Sequence, residues 1–128
     1  MKDVVRTEAA PAPFQGAPYS QAVKANGFVF VSGQLSLRPG DKDLSAGEIG
    51  PQTEHVFANL RAILEEAGSS LEQLVKTTVF LQNLDDFAGM NEVYSKHVGD
   101  TPPARSTVEV AKLPSGAFVE IEAIALVL

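Results

Sequence analysis

The stretch from Ala117 to Leu128 sets the strongest limit on what this chain can become. It reads as a strand, but both of its faces are mainly apolar. Val119, Ile121, Ala123, Ala125 and Val127 share one face. Phe118, Ile124, Leu126 and Leu128 share the other, with Glu120 and Glu122 among them. A strand with two apolar faces needs cover on both sides.

Upstream residues supply part of that cover. Met1 to Gln15, with Pro11 and Pro13, reads as an irregular surface arm. A strand starts within Pro18–Val23, turns at Asn26-Gly27 and returns as Phe28–Gln34, because both turn residues tolerate positive φ. Leu35–Gly50 reads as a long, polar, mobile connection holding at most a short strand. Helical spacing of Val56, Phe57, Leu60, Ile63, Leu64 and Ala67 predicts a helix over Pro51–Ala67, stopped by Gly68. His55 falls near its polar side and is expected to be solvated. A capping box at Ser70–Gln73 precedes a strand over Val75–Leu81. Asp85 is the expected cap of a second helix reaching Val98, with Phe87, Met90, Val93, Tyr94 and Val98 as its buried stripe. Asn91 lies between Phe87 and Tyr94 at helical spacing, and His97 falls in the last turn, where a cation favours the dipole.

The order β-β-α-β-α-β-β defines one α+β domain over residues 1–128, a mostly antiparallel sheet with two helices on one face. No third helix remains for the second face. Another copy of the chain is the simplest cover, so a closed homo-oligomer is expected.

The segment Thr101-Pro102-Pro103-Ala104-Arg105-Ser106-Thr107 places an arginine just inside a short strand that reads as buried, after a rigid entry. Two readings stand. Arg105 is either a structural partner of Glu109, Glu120 or Glu122, or a fork that clamps a small carboxylate with two parallel hydrogen bonds.

Composition narrows the function. The net charge is −6 with no basic run, which argues against a nucleic-acid partner. With no cysteine, thiolate nucleophiles, disulfides and Cys-based metal sites are excluded. No apolar run is long enough for a signal peptide or membrane span, so the expected location is the cytoplasm, without a membrane partner.

Several motifs, in order, resemble the RidA family, also called YjgF or L-PSP. They are Pro18-Tyr19-Ser20-Gln21-Ala22-Val23, Val31-Ser32-Gly33-Gln34, Gln52-Thr53, Asn59-Leu60 with Ala67-Gly68, and Val75–Leu81. Phe87–Asn91, Pro103-Ala104-Arg105-Ser106 and Val119–Ala125 complete the set, so the resemblance runs from about Thr7 to the C-terminus. It implies a chorismate-mutase-like fold and a homotrimer with a central β-barrel, helices outside, and small-carboxylate sites at subunit interfaces. It also implies hydrolysis of reactive 2-imino acids, such as 2-iminobutanoate and 2-iminopropanoate, to 2-oxo acids and ammonia, with no metal and no cofactor. Carried over residue by residue, Arg105 grips the substrate carboxylate, Glu120 orients water, Tyr19 and Asn91 line the cleft, and Ser32 and Gly33 approach the ligand. Thr107 contributes largely through its backbone. Two positions depart from the family: Thr107 stands where many members have cysteine, and Ala17 where many have glycine.

Other functions fit parts of the same sequence. A non-catalytic trimer could bind small carboxylates or a protein through the same surfaces. A deaminase could act on an aminomuconate-type imine. The endoribonuclease activity in the family's older names has the net charge of −6 against it.

Overall fold

The computed structural model describes residues 1–41, 43–44 and 46–128. Six strands form one sheet in the order β1-β2-β3-β6-β4-β5. They are β1 (Asp3–Val5), β2 (Ala22–Ala25), β3 (Phe28–Gln34), β4 (Leu74–Leu81), β5 (Ala104–Glu109) and β6 (Val119–Leu126). Helix α1 (Ile49–Glu66) connects β3 to β4, and α2 (Phe87–Val98) connects β4 to β5. The last strand is therefore central: β6 lies antiparallel between β3 and β4. Only the β4–β5 pair is parallel, since a helical crossover returns the chain in the same direction.

The core lies between the sheet and the helices. Val119, Ile121 and Ala125 of β6 are wholly buried, as are Val56, Phe57, Leu60, Ile63 and Leu64 of α1. The opposite face has no helix on it. Phe28, Phe30 and Leu126 on that face are exposed, at 36%, 44% and 38%. The expected two-sided demand of β6 is thus met on one side within a single copy.

Local signals explain most boundaries. Asn26 and Gly27 have φ of 51° and 81°, the paired positive values that a tight hairpin requires. Gly68, at φ 83°, stops α1, and the Ser69 amide donates back to the Leu64 carbonyl at 2.8 Å.

Several expectations are corrected. The N-terminal arm is not wholly irregular, because Asp3–Val5 adds an edge strand to β2. It is held by buried Gln21, whose Oε1 accepts from the Thr7 amide at 2.8 Å while Nε2 donates to the Thr7, Ala10 and Pro11 carbonyls. The Leu35–Gly50 connection starts as packed chain, with Ser36 and Leu37 buried and Asn59 Nδ2 donating to the carbonyls of Leu35 and Leu37. Lys42 of that connection's Asp41-Lys42-Asp43 run, and Ser45, lie outside the described residues. Asp85 does not cap α2: a short 3-10 turn, Leu84–Asp86, leads into the helix, and it is capped by Asn83, whose side chain accepts from the Asp85 amide at 2.8 Å. Ser70 makes no side-chain cap for the short turn after α1. His55 is half-buried, with Nδ1 3.3 Å from Ser36 Oγ, rather than solvated. His97 does more than favour a dipole: it pairs with Glu54 of α1 and stacks on Phe57 at 4.6 Å, tying the two helices together.

Gln21→Leu keeps the volume but removes every partner that Gln21 gives the arm. It is expected to cost about 1–3 kcal/mol, the penalty for stranding buried backbone groups. Chemical denaturation measures the loss, and hydrogen exchange should show the Thr7 amide deprotected. An unchanged midpoint with a protected amide would rule this account out.

Candidate active site

Strand β5 is the edge of the sheet, not a buried strand as the sequence suggested; along it only Arg105 and Thr107 are better than exposed. The alternating pattern is right, but nothing covers the free side of the strand. That position changes the energetics of Arg105. Full burial of a guanidinium costs several kcal/mol. At an edge the charge keeps part of its solvent while still meeting fixed partners.

Those partners are not carboxylates. Arg105 Nη1 donates to Asn91 Oδ1 at 2.7 Å. Its guanidinium carbon lies 4.7 Å from the ring centre of Tyr94 and 5.5 Å from that of Phe87. Phe87, Asn91 and Tyr94 recur along α2 on the side that faces β5. The structural ion pair with Glu109, Glu120 or Glu122 is not formed: among the described residues no carboxylate lies within ion-pair distance of Arg105. Asn91 takes one N–H, and the fork has four further N–H donors with which an anion could be met.

Glu120 lies elsewhere. Register makes this plain. Arg105 pairs with Thr77, on the helix-covered face, whereas Glu120 pairs with Phe80, on the open face. Within one copy the sheet itself separates the two proposed catalytic groups. The expected set therefore divides into two half-sites: Arg105, Asn91 and Thr107 on one, and Tyr19, Ser32, Gly33 and Glu120 on the other.

The second half-site is a cleft of about 400 Å³ lined by Phe14, Tyr19, Ser32, Gly33, Leu35, Pro114, Glu120 and Glu122. A register shift between Val31 and Gln34 bends β3 here. Ser32 Oγ donates to the Ser20 carbonyl at 2.6 Å, which ties the bend to the preceding segment. Gly33 leaves room for the Glu120 carboxyl: a Cβ there would come within 1.9 Å of Glu120 Oε2 and force that side chain to move. Tyr19 Oη accepts from the Phe14 amide at 2.6 Å, so the ring's position is fixed although 43% of it is exposed. Ala17 has φ −63° and ψ 154°, extended backbone open to any residue, so its departure from glycine does not displace Tyr19.

Burial raises the pKa of the Glu120 carboxyl above the ordinary 4.5, and the negative charge of Glu122 adds to the effect. The folded state thus holds this proton more tightly than the unfolded chain. The resulting stability is present at low pH and is lost as pH rises through the raised value.

The sequence names Arg105, Asn91, Tyr19, Ser32, Gly33, Glu120 and Thr107 as candidates, and puts Tyr94 and Phe87 only in a buried stripe although their rings lie against Arg105. Their spacing from Asn91 was the available signal. Phe14, Leu35 and Pro114 had none, since they meet the cleft only through the fold.

Comparison with known proteins agrees with this architecture. Residues 7–127 match the family model described as Endoribonuclease L-PSP. A RutC family protein of Pyrococcus abyssi is 51% identical over 97% of this chain and 96% of its own length. The chloroplastic Reactive Intermediate Deaminase A of Arabidopsis thaliana is 47% identical over 97% of this chain and 65% of its own length. The crystal structure of RidA from the Antarctic bacterium Psychrobacter superposes with a TM-score of 0.91 at 44% identity, covering 98% of this chain and 99% of that one. The chain belongs to the RidA (YjgF/L-PSP) family. No helix among the described residues is long and apolar enough to cross a membrane.

Replacing Glu122 with Gln removes the charge but keeps the shape. The Glu120 carboxyl should then titrate at lower pH than in the unmodified chain, though still above 4.5 because burial remains the larger cause. Carbon-detected NMR of the Glu120 side chain reads this directly. A titration that does not move would show that Glu122 does not act on Glu120.

Proposed function

We propose that this chain is a deaminase of reactive 2-imino acids, 2-iminobutanoate and 2-iminopropanoate among them, acting as a homotrimer with its sites between copies. The observation that carries the reading is the state of Arg105: a guanidinium held by two rings and one amide, at a sheet edge, with no carboxylate partner. The family membership and the deaminase name of the Arabidopsis relative support the reaction class.

Assembly follows from the same features. The open face carries exposed Phe28, Phe30, Val108 and Leu126, which favours cover by further copies. A neighbour's open face laid against the β5 edge would bring its Glu120 and Tyr19 opposite Arg105. The separation of the half-sites supports a shared cleft, and the number three follows the family resemblance.

The chemistry needs three tasks done. Arg105 fixes the substrate carboxylate with its further donors and leaves the C=N carbon in place. Glu120, ionised, takes a proton from water as its oxygen bonds to that carbon and the C=N electrons pass to nitrogen. Glu120 returns that proton to nitrogen to complete the carbinolamine, then takes the hydroxyl proton as the C=O bond forms and passes it to nitrogen as the C–N bond breaks and ammonia leaves. The products are the 2-oxo acid and ammonia, with no change of oxidation state. Phe14, Tyr19, Leu35 and Pro114 give the cleft apolar walls that suit a small aliphatic side chain.

The description Endoribonuclease L-PSP belongs to the family model. A net charge of −6 gives this chain no positive footprint for a phosphate backbone, so RNA cleavage is not the reading favoured here.

A threonine dehydratase supplying 2-iminobutanoate in the presence of semicarbazide tests the proposal. The unmodified chain should suppress semicarbazone formation. Arg105→Ala should lose suppression by on the order of 10²-fold or more while keeping its fold and assembly. Loss of the wild-type effect with binding of 2-oxobutanoate retained would favour a small-carboxylate-binding trimer. A positive result only with an aminomuconate-type imine would reassign the substrate.

Activity should also fall as pH drops through the raised pKa of Glu120, giving an acid limb above pH 4.5 in kcat/KM. Glu120→Gln should abolish that limb together with most of the activity. A limb that persists in the variant would remove Glu120 from the role of base.

A further inference from the structure

We infer that Tyr94 is a positioning residue for the carboxylate clamp, setting the plane of the Arg105 guanidinium through the face of its ring. The inference rests on the reading of Arg105 as the carboxylate-binding group. It extends that reading to a side chain which packing alone would leave as a core residue.

The geometry is a closed triangle. Thr77 of β4 stands directly opposite Arg105 of β5 in the parallel register. Thr77 Oγ1 and Tyr94 Oη share a hydrogen bond of 2.7 Å. The Tyr94 ring in turn lies 4.7 Å from the guanidinium carbon. So the cross-strand neighbour of the arginine anchors the ring that supports it. Core packing does not account for this hydroxyl, since phenylalanine would fill the same space. Tyr94 is 5% exposed, and its hydroxyl needs a buried partner that only one ring orientation supplies.

The ring is braced from behind as well. Phe57 of α1 meets Tyr94 edge-on at 5.4 Å, and His97 stacks on the far side of Phe57. His97 is held by Glu54. Phe87, the other ring near Arg105, is 40% exposed and more distant, at 5.5 Å. Tyr94 is therefore the fixed support. Asn91 holds Nη1 and the Tyr94 ring lies 4.7 Å from the guanidinium carbon, so the group is restrained both at one nitrogen and over its centre.

The test varies the ring's electrostatics at nearly constant shape. Phenylalanine, 4-fluoro-, 3,5-difluoro- and 3,4,5-trifluorophenylalanine are placed at position 94 in turn. Each fluorine weakens the negative face that attracts a cation. The readouts are Kd for 2-oxobutanoate, by calorimetry, and KM and kcat for enzymatically generated 2-iminobutanoate. Kd and KM should rise progressively, by roughly 10-fold across the series, with kcat changed less than about 3-fold. A merely structural ring would leave Kd level across the series, and that result overturns the inference. Thr77→Val, which removes the anchor but not the ring, should raise Kd in the same direction; an unchanged Kd overturns the role of the Thr77 link. Failure of the deaminase reading is distinguishable. A wild type that binds 2-oxobutanoate but turns over no imine loses the reaction, while the Kd series still decides the role of Tyr94. A wild type that binds no carboxylate overturns both.

Discussion

The structure depends on a single strand that is asked to be apolar on both sides. Strand β6 pairs with β3 and β4 along nearly its whole length, and its inward face is closed by α1. Each buried valine or isoleucine of that face contributes about 1.5–3 kcal/mol relative to exposure. That satisfies one face and leaves the other with phenylalanines and leucine in water. The fold is therefore complete as a core but not as a surface. The same asymmetry that calls for further copies also places Glu120 and Glu122, the two acids of β6, on the face those copies would cover.

The sheet then decides how function is shared. A pleated strand sends neighbouring side chains to opposite faces, and register carries that choice across the ladder. Arg105 follows Thr77 to the helix side, and Glu120 follows Phe80 to the open side. No rotamer change in one copy brings them together through a sheet. Within one copy the guanidinium of Arg105 and the carboxyl of Glu120 therefore stay on opposite sides of the sheet.

How much of this was legible follows from the range of each signal. The hairpin at Asn26-Gly27, the stripes of α1 and α2, and the alternation of β4, β5 and β6 are local, so the sequence carried them. Strand β1 was missed because three residues are too few for a period, and it is held by pairing with β2, some twenty residues away in sequence. The edge position of β5 was missed because alternation describes a strand's faces and says nothing about its neighbours. The half-site division had the same cause: the parity within each strand was readable, but the register between strands was not. Arg105 was readable as a charge needing a partner, but that Asn91 would be that partner, at 2.7 Å, depends on the packing of α2 and was not readable. The rings of Phe87 and Tyr94 were visible as a stripe, but their use by a cation depends on how closely α2 approaches β5.

One more residue belongs to the same edge. Thr107 lies two positions beyond Arg105, on the same face, and its Oγ1 is the buried side-chain polar atom without a hydrogen-bond partner among the described residues. Stranding such a hydroxyl costs about 1–3 kcal/mol, a large fraction of a small domain's stability. Where a family cysteine would tolerate that setting as a weak donor, a threonine does so at a cost. Arg105, with one described side-chain hydrogen bond for its five donors, and the unpartnered hydroxyl of Thr107 are separate deficits of hydrogen bonding among the described residues, and they sit on one strand at the rim of the sheet. Folding of a single copy meets neither. Both are the kind of deficit that a neighbouring chain or a small polar ligand relieves, and that places the unfinished part of the molecule at β5.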